Sequence, residues 1–276
     1  MSDRNVALLG GGKMGEALLS GLLRSGGRTA EEITVTARRE ERARELAGKY
    51  GVSATLDNAE AVKWADVVVL MAKPQDMDVL LEQIRDAVEP RHLVVSFAAG
   101  IRTSFVEQHL ADGTVVVRVM SNVPVMVDEA MSVITPGKLA DDSHLAVAEE
   151  LLSYVGKVIR LKETHLDAVT ATSGSGPAYF FLLAEAMIEA CILLGLSRDV
   201  ATDLIIQTML GSAKMLRDTG KHPVELREMV TSPGGTTIAA IRHLEEAGVR
   251  AAFLNAIDAA RKRSEELARG ADDVHD

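Results

Sequence analysis

The sequence predicts an α/β chain, with a doubly wound parallel sheet over residues 1–162 and an all-α domain over residues 163–270. Three observations carry this. Up to Leu161, short β-branched runs alternate with segments rich in Ala, Leu, Glu and Arg at helical spacing. Those runs are apolar throughout instead of alternating with polar residues, as strands covered on both faces are. After Lys162 no further run reads as a strand, and helical patterns broken by Gly and Pro continue to Arg269.

Taken in order, the expected strands are Val6–Leu9, Ile33–Thr36, Val67–Leu70, Leu93–Ser96, Val115–Val119 and Met131–Ile134, closed by one near Lys157–Leu161. Expected helices include Glu16–Arg24, Glu40–Lys49 and Met77–Val88. The connections are short and should be right-handed crossovers. In the second half, breaks are expected at Gly174–Pro177, Gly195–Ser197, Gly220–Pro223 and Ser232–Gly235. The helix from Pro177 to Leu194 is apolar almost all round, so it should be buried in the helical domain and between subunits. Glu185 and Glu189 interrupt it, which argues against a membrane span. Residues 271–276 form an acidic tail that should fray.

Composition removes several functions. The net charge is -10, and no basic stretch interleaved with aromatics is present, so nucleic acid is not an expected partner. Cys191 is the only cysteine, which precludes an intramolecular disulfide and suits a reducing cytoplasm. It lies in an apolar run and reads as a structural thiol. The N-terminal segment lacks the layout of a signal peptide. The seven histidines are scattered, and no metal-ligand cluster stands out.

Chemistry enters at Gly10-Gly11-Gly12-Lys13-Met14-Gly15, between the first strand and the first helix. Gly10, Gly12 and Gly15 satisfy the G-x-G-x-x-G pattern in the strand–turn–helix setting that gives it meaning. Gly10 allows the tight turn, Gly12 lets the backbone approach a pyrophosphate, and Gly15 lets the helix pack closely. Lys13 and Met14 open the helix whose free N–H groups face the anion. This is a Rossmann-type dinucleotide site. The second strand ends in Thr36-Ala37-Arg38-Arg39, without the acidic residue usual for NAD. Arg38 and Arg39 suit the 2′-phosphate of NADPH, with NADH left open. A solvated charge cluster at a helix start is the plainer alternative.

Further segments, read with GGGKMG, carry a resemblance. They are Met71-Ala72-Lys73-Pro74-Gln75, Ser96-Phe97-Ala98-Ala99-Gly100 and Arg118-Val119-Met120-Ser121-Asn122-Val123-Pro124. In the helical half they are Asp167 to Tyr179, containing Ser173-Gly174-Ser175-Gly176-Pro177, and Ser232-Pro233-Gly234-Gly235-Thr236-Thr237. In order, over nearly the whole chain, the series resembles the pyrroline-5-carboxylate reductase family. The resemblance implies a helical dimerisation domain, dimers that exchange helices, and further assembly such as a decamer of five dimers. It implies reduction of a small cyclic imino acid, 1-pyrroline-5-carboxylate, to L-proline.

Within that resemblance, Thr237 matches a threonine near the imine nitrogen, and Ser232, Gly234, Gly235 and Thr236 form the expected carboxylate site, with Asn122 shaping the pocket. A helix start capped by Ser232 with Pro233 in its first position is the plainer reading of that loop. Lys73, Pro74 and Ala72 follow the third strand, and Ala98 and Gly100 follow the fourth, at the carboxyl ends where doubly wound sheets bind ligands. Asn58 matches a position beside the cofactor ribose, or is an N-cap.

Three departures stand out. Ser121 replaces the family's proline in Met-Pro-Asn, Val127-Asp128-Glu129 replaces a glycine-containing turn, and Ala72 replaces a valine. The first two put the shape of the loop after the fifth strand in question. The nearest alternative is a reductase of the same build acting on a related cyclic imine, a six-membered ring included, or on a 3-hydroxyacid; a hydroxyacid enzyme would offer a catalytic lysine in the second domain. Lys214 is the obvious candidate, and its surroundings do not match. A non-catalytic NADP-binding regulator is the other alternative, and it has no need of a carboxylate-binding loop.

Overall fold

The computed structural model describes residues 4–273. The chain divides into two compact units, the first ending at Ser175 and resuming at Ala260, the second being Gly176–Ala259. This division differs from the expected one at residues 162 and 163. The segment after Lys162 and the end of the last helix belong with the sheet.

The first unit contains β1 (Val6–Leu9), β2 (Ile33–Thr36), β3 (Ser53–Thr55), β4 (Val67–Leu70), β5 (Leu93–Ser96), β6 (Val115–Met120), β7 (Ala130–Pro136) and β8 (Gly156–Arg160). Its helices are α1 (Lys13–Arg24), α2 (Glu40–Tyr50), α3 (Asn58–Trp64), α4 (Met77–Ile84), α5 (Thr103–His109), α6 (Asp142–Ser153) and α7 (Leu166–Val169). The strands form a single sheet in the order β3-β2-β1-β4-β5-β6-β7-β8.

β1 shows why such strands are apolar on both faces. Val6 and Leu8 join Leu18 and Leu22 of α1, Leu46 of α2 and Leu151 of α6 in one core. Ala7 and Leu9 point the other way, to a second core with Val62 of α3, Leu81 of α4 and Val106 of α5. Side chains alternate along a strand, so each face needs its own helical cover.

The structure corrects the sequence in several places. β3 was not foreseen: its three residues Ser-Ala-Thr are only partly buried and offer no apolar run. β7 runs antiparallel to β6. Residues 121–129 between them are too few for a parallel crossover, which takes a dozen or more. They instead form a 3-10 helix over Val123–Val127, ended by Asp128 at φ 60°. Asp tolerates this left-handed conformation better than most residues. Both carboxylate oxygens of Asp128 accept from Arg24, at 2.7 and 2.8 Å. A paired aspartate thus stands where glycine is usual.

Nor does the chain break at Gly174–Pro177. Thr170–Gly174 forms a π-turn, with the Ser175 N–H donating to the Thr170 carbonyl at 2.8 Å, and the helix resumes at Gly176. Of the expected tail, residues 271–273 continue the last helix, and residues 274–276 lie outside the described residues.

The second unit holds α8 (Gly176–Leu193), α9 (Arg198–Thr219), α10 (Pro223–Met229) and α11 (Thr236–Glu246), and α12 (Val249–Asp273) begins in it. Among the described residues no strand follows β8.

Candidate functional site

In the first unit a cleft of about 580 Å³ opens at the carboxyl ends of β1, β2 and β4. The glycine turn forms its floor. Gly10 has φ +124°, and a Cβ there would press on the backbone of Met71. A Cβ on Gly15 would lie 2.1 Å from the carbonyl oxygen of Gly10, so α1 can seat against the strand only with glycine there. Gly12 is the opposite case: a Cβ would meet nothing within 4 Å. That open space adjoins the cleft, which Gly12 lines. Gly12 is also the N-cap of α1, and no side chain caps that helix, which leaves its first N–H groups for an anion.

Of the residues expected at the cofactor, Gly10, Gly12, Arg38, Arg39, Asn58, Ala72 and Lys73 line the cleft. Lys13 and Met14 are the first residues of α1, with Lys13 exposed and Met14 packed against the core. Gly15 acts through packing. Pro74 opens a 3-10 turn after β4 and does not line the cleft. Ala98 is buried in the second core, and Gly100 lies beside the backbone of Ala268 in α12. Asn58 is the first residue of α3 rather than its cap, which is Asp57. Its amide donates to Gln83 at 2.7 Å.

Arg38 reaches over the cleft mouth to Asp76 at 3.1 Å, an exposed pair of the kind that contributes little by itself. Glu40 begins α2, as expected. Neither Gly11 nor Arg42 is singled out by the sequence reading. The Gly11 N–H donates to the Thr36 carbonyl at 2.7 Å, and its own carbonyl accepts from Arg42 Nε at 2.9 Å. Arg42 also pairs with Glu16 and, at 2.7 Å, with Glu45. Lys49 and Tyr50 close on Glu16 as well, at 2.8 and 2.9 Å. Lys49 foremost, with Arg42, holds the Glu16 carboxyl down to about 2, so it is ionised at neutral pH. The helical spacing of 42, 46, 49 and 50 was the available signal.

Asn122 is buried at the end of β6. Its Nδ2 donates to the Ser173 carbonyl in the π-turn at 2.9 Å, and its Oδ1 accepts from the Met131 N–H at 2.9 Å. Beside it the Ser132 hydroxyl donates to Ser121 at 2.9 Å. The loop after β6 is therefore fastened by side chains. Arg118, another residue the sequence did not single out, is buried and pairs at 2.9 Å with Glu163. Glu163 also accepts from the Thr103 N–H and hydroxyl at 2.9 and 3.0 Å.

In the second unit the loop before α11 is not a Ser-capped start. The helix begins at Thr236, its N-cap is Gly235, and no side chain caps it. Ser232 accepts the Gly235 N–H on its carbonyl at 3.1 Å, while Gly234 takes φ +69°. Thr236 and Thr237 thus bring hydroxyls to an uncapped helix N-terminus. Among the described residues no group of three or more His, Cys, Asp or Glu is placed to hold a metal ion.

A Rossmann-type cleft, followed by a helical unit with its own uncapped glycine loop, defines a dinucleotide-dependent oxidoreductase with a second, helical module. Residues 5–100 match the family model described as NADP oxidoreductase, coenzyme F420-dependent, and residues 163–267 match pyrroline-5-carboxylate reductase dimerisation. A pyrroline-5-carboxylate reductase of Methanosarcina acetivorans is 44% identical over 98% of this chain and all of its own length. The solved structure of such a reductase from Coxiella burnetii superposes with a TM-score of 0.91 at 37% identity, covering 96% of this chain and 99% of that one. That of the Plasmodium falciparum enzyme, with NADP bound, gives 0.88 at 25% identity, covering 97% and 99%. The chain belongs to the pyrroline-5-carboxylate reductase family, and its helical module makes it a homo-oligomer.

Proposed function

We propose that this chain is a cytoplasmic enzyme that reduces 1-pyrroline-5-carboxylate to L-proline, with NADPH preferred over NADH. The observation that carries the reading is the presence of two separate uncapped glycine-bearing helix starts: Gly12 before α1 at the dinucleotide cleft, and Gly234-Gly235 before α11. A dinucleotide needs the first for its pyrophosphate, and an imino acid needs the second for its carboxylate.

Reduced nicotinamide, when bound, supplies a hydride to the ring carbon of the C=N bond, so the protein's task is mainly binding and orientation. Gly12 and the first residues of α1 hold the pyrophosphate. Arg38 and Arg39 receive the 2′-phosphate, and Arg38 leaves Asp76 to do so; arginine's planar fork suits phosphate oxygens. Ser232, Gly234, Gly235 and Thr236 bind the substrate carboxylate. The Thr237 hydroxyl orients the ring nitrogen, which leaves the reaction with one more proton than it had in the imine. Residues 163–270, the span the dimerisation family model largely covers, act as the dimerisation and substrate module even though both their ends belong to the first compact unit. Residues 1–162 act as the dinucleotide module.

The test is loss of reduced-nicotinamide absorbance with racemic 1-pyrroline-5-carboxylate, with proline identified as product. Thr237→Ala should lower kcat at least about tenfold, and Thr237→Ser should recover much of it. Turnover as fast with NADH as with NADPH would overturn the role given to Arg38 and Arg39. Tight NADPH binding without turnover would overturn the reaction itself.

A further inference from the structure

Three arginines line the dinucleotide cleft, and they are not equivalent. Arg38 and Arg39 are exposed. Arg42 is half-buried, and all three of its guanidinium nitrogens are engaged: Nε with the Gly11 carbonyl at 2.9 Å, Nη2 with Glu16, and Nη1 with Glu45 at 2.7 Å. Its charge is already answered by two carboxylates, and both raise its affinity for the proton. It is therefore poorly placed to serve as a phosphate ligand.

The contact with Gly11 has a different use. Both ends of Gly11 are anchored, the N–H on Thr36 at the end of β2 and the carbonyl on Arg42. A Cβ on Gly11 would also strike Leu46 Cδ1 at 2.4 Å. Residues 42, 46, 49 and 50 fall on one face of α2, so a single helical stripe braces the turn and the start of α1 together. In a trans peptide the carbonyl and the next N–H point in opposite directions, and no described peptide bond is cis. Holding the Gly11 carbonyl toward α2 therefore turns the Gly12 N–H away from α2.

We propose that Arg42 is a positioning residue for the dinucleotide: it fixes the Gly11–Gly12 peptide so that the Gly12 N–H is presented to the pyrophosphate, and Glu16 in turn holds the guanidinium in place. The inference rests on the reading of this cleft as the dinucleotide site. It assigns Arg42 to the part shared by NADPH and NADH, leaving discrimination between them to the exposed arginines.

Calorimetric titration of the full-length protein with NADPH and NADH tests this, with wild type, Arg42→Met, Arg42→Lys and the double variant Arg42→Met/Glu16→Gln. Arg42→Met should weaken both cofactors by the same factor, about tenfold, the weight of one charge-assisted hydrogen bond. KM for both cofactors should rise in step, with KM for the imine unmoved and Tm lowered by only a few degrees. Arg42→Lys keeps a cation beside Glu16 but loses the Nε contact with Gly11, so it should retain most of the defect. The double variant separates geometry from charge: a persistent defect supports the fixed peptide, and recovery shows instead that an unmasked Glu16 repelled the pyrophosphate. A loss confined to NADPH would make Arg42 a 2′-phosphate ligand and overturn the proposal. Equal binding by Arg42→Met and wild type would also overturn it, whereas failure of wild type to bind either cofactor would overturn the cofactor reading instead.

Discussion

At the scale of single residues, glycines that look alike in the G-x-G-x-x-G pattern are held there by different forces. Gly15 is required by the fold, because a methyl group would sit 2.1 Å from the Gly10 oxygen. Gly12 is free of the fold, with φ −75° and open space where a Cβ would go. The same substitution should therefore have opposite signatures. Gly15→Ala should cost roughly 1–3 kcal/mol of stability through overpacking against backbone. Gly12→Ala should leave the denaturation midpoint nearly unchanged while weakening dinucleotide binding severalfold or more, since the methyl group would stand where we propose the pyrophosphate binds. Urea unfolding and cofactor titration on both variants check this. A stable Gly15→Ala, or a Gly12→Ala that binds cofactor normally, would mean the pattern has been divided wrongly. The sequence could name Gly10, Gly12 and Gly15 because they match a fixed pattern of spacings in a recognisable strand–turn–helix setting. For Gly11 and Arg42 the helical spacing of 42, 46, 49 and 50 marks one face of α2, but only the fold shows that this face lies over the turn.

At the scale of elements, what was legible followed burial. The strands buried on both faces announce themselves as Val-rich runs, and each matches a strand of the sheet within a residue or two. β3 did not, because an edge strand of Ser-Ala-Thr needs no apolar side chains to earn its place beside β2. The π-turn was misread as a break because glycine and proline cluster there. Its carbonyl at Ser173 finds Asn122, which also holds the Met131 N–H. That pairing joins β6, β7 and the π-turn through one buried carboxamide. Asn122→Ala leaves two backbone groups without their partner, so it should destabilise the protein by about 2 kcal/mol. Asn122→Asp keeps the acceptor for Met131 but sets a second oxygen against the Ser173 carbonyl, so it should regain part of the stability only at low pH, where the protonated carboxyl can donate there. Chemical denaturation of both variants measures this. A variant Asn122→Ala as stable as wild type, with a raised KM for the imine, would move Asn122 from this structural role to direct contact with substrate.

At the scale of the whole molecule, the second unit shows why a family model names dimerisation. α8 is apolar on almost every side, yet of its residues only Gly176 is buried in a single chain. Phe181 and Leu182 are each 66% exposed, and Leu193 is 89% exposed. Exposed apolar area on this scale marks an interface. By length and composition the continuous helix Glu163–Leu193, most of which is α8, could pass for a membrane span, with Glu185 and Glu189 the charges of its α8 part. The sequence expected the helix to be buried, and in one chain it is not, so a copy of the chain has to supply the cover. Light scattering on purified wild type should then give an even multiple of the 29.5 kDa chain mass, twice for a dimer and ten times for five dimers. Phe181→Glu places a charge where a partner's apolar side chains would exclude water, at a cost of several kcal/mol if the charge stays buried. It should therefore shift the mass toward that of one chain and reduce solubility, since the rest of the face remains uncovered. A wild type that is monomeric in buffer would contradict the oligomer, and one extracted only with detergent would give α8 a membrane instead. A Phe181→Glu variant that assembles normally would place the interface on another face of α8 or α9.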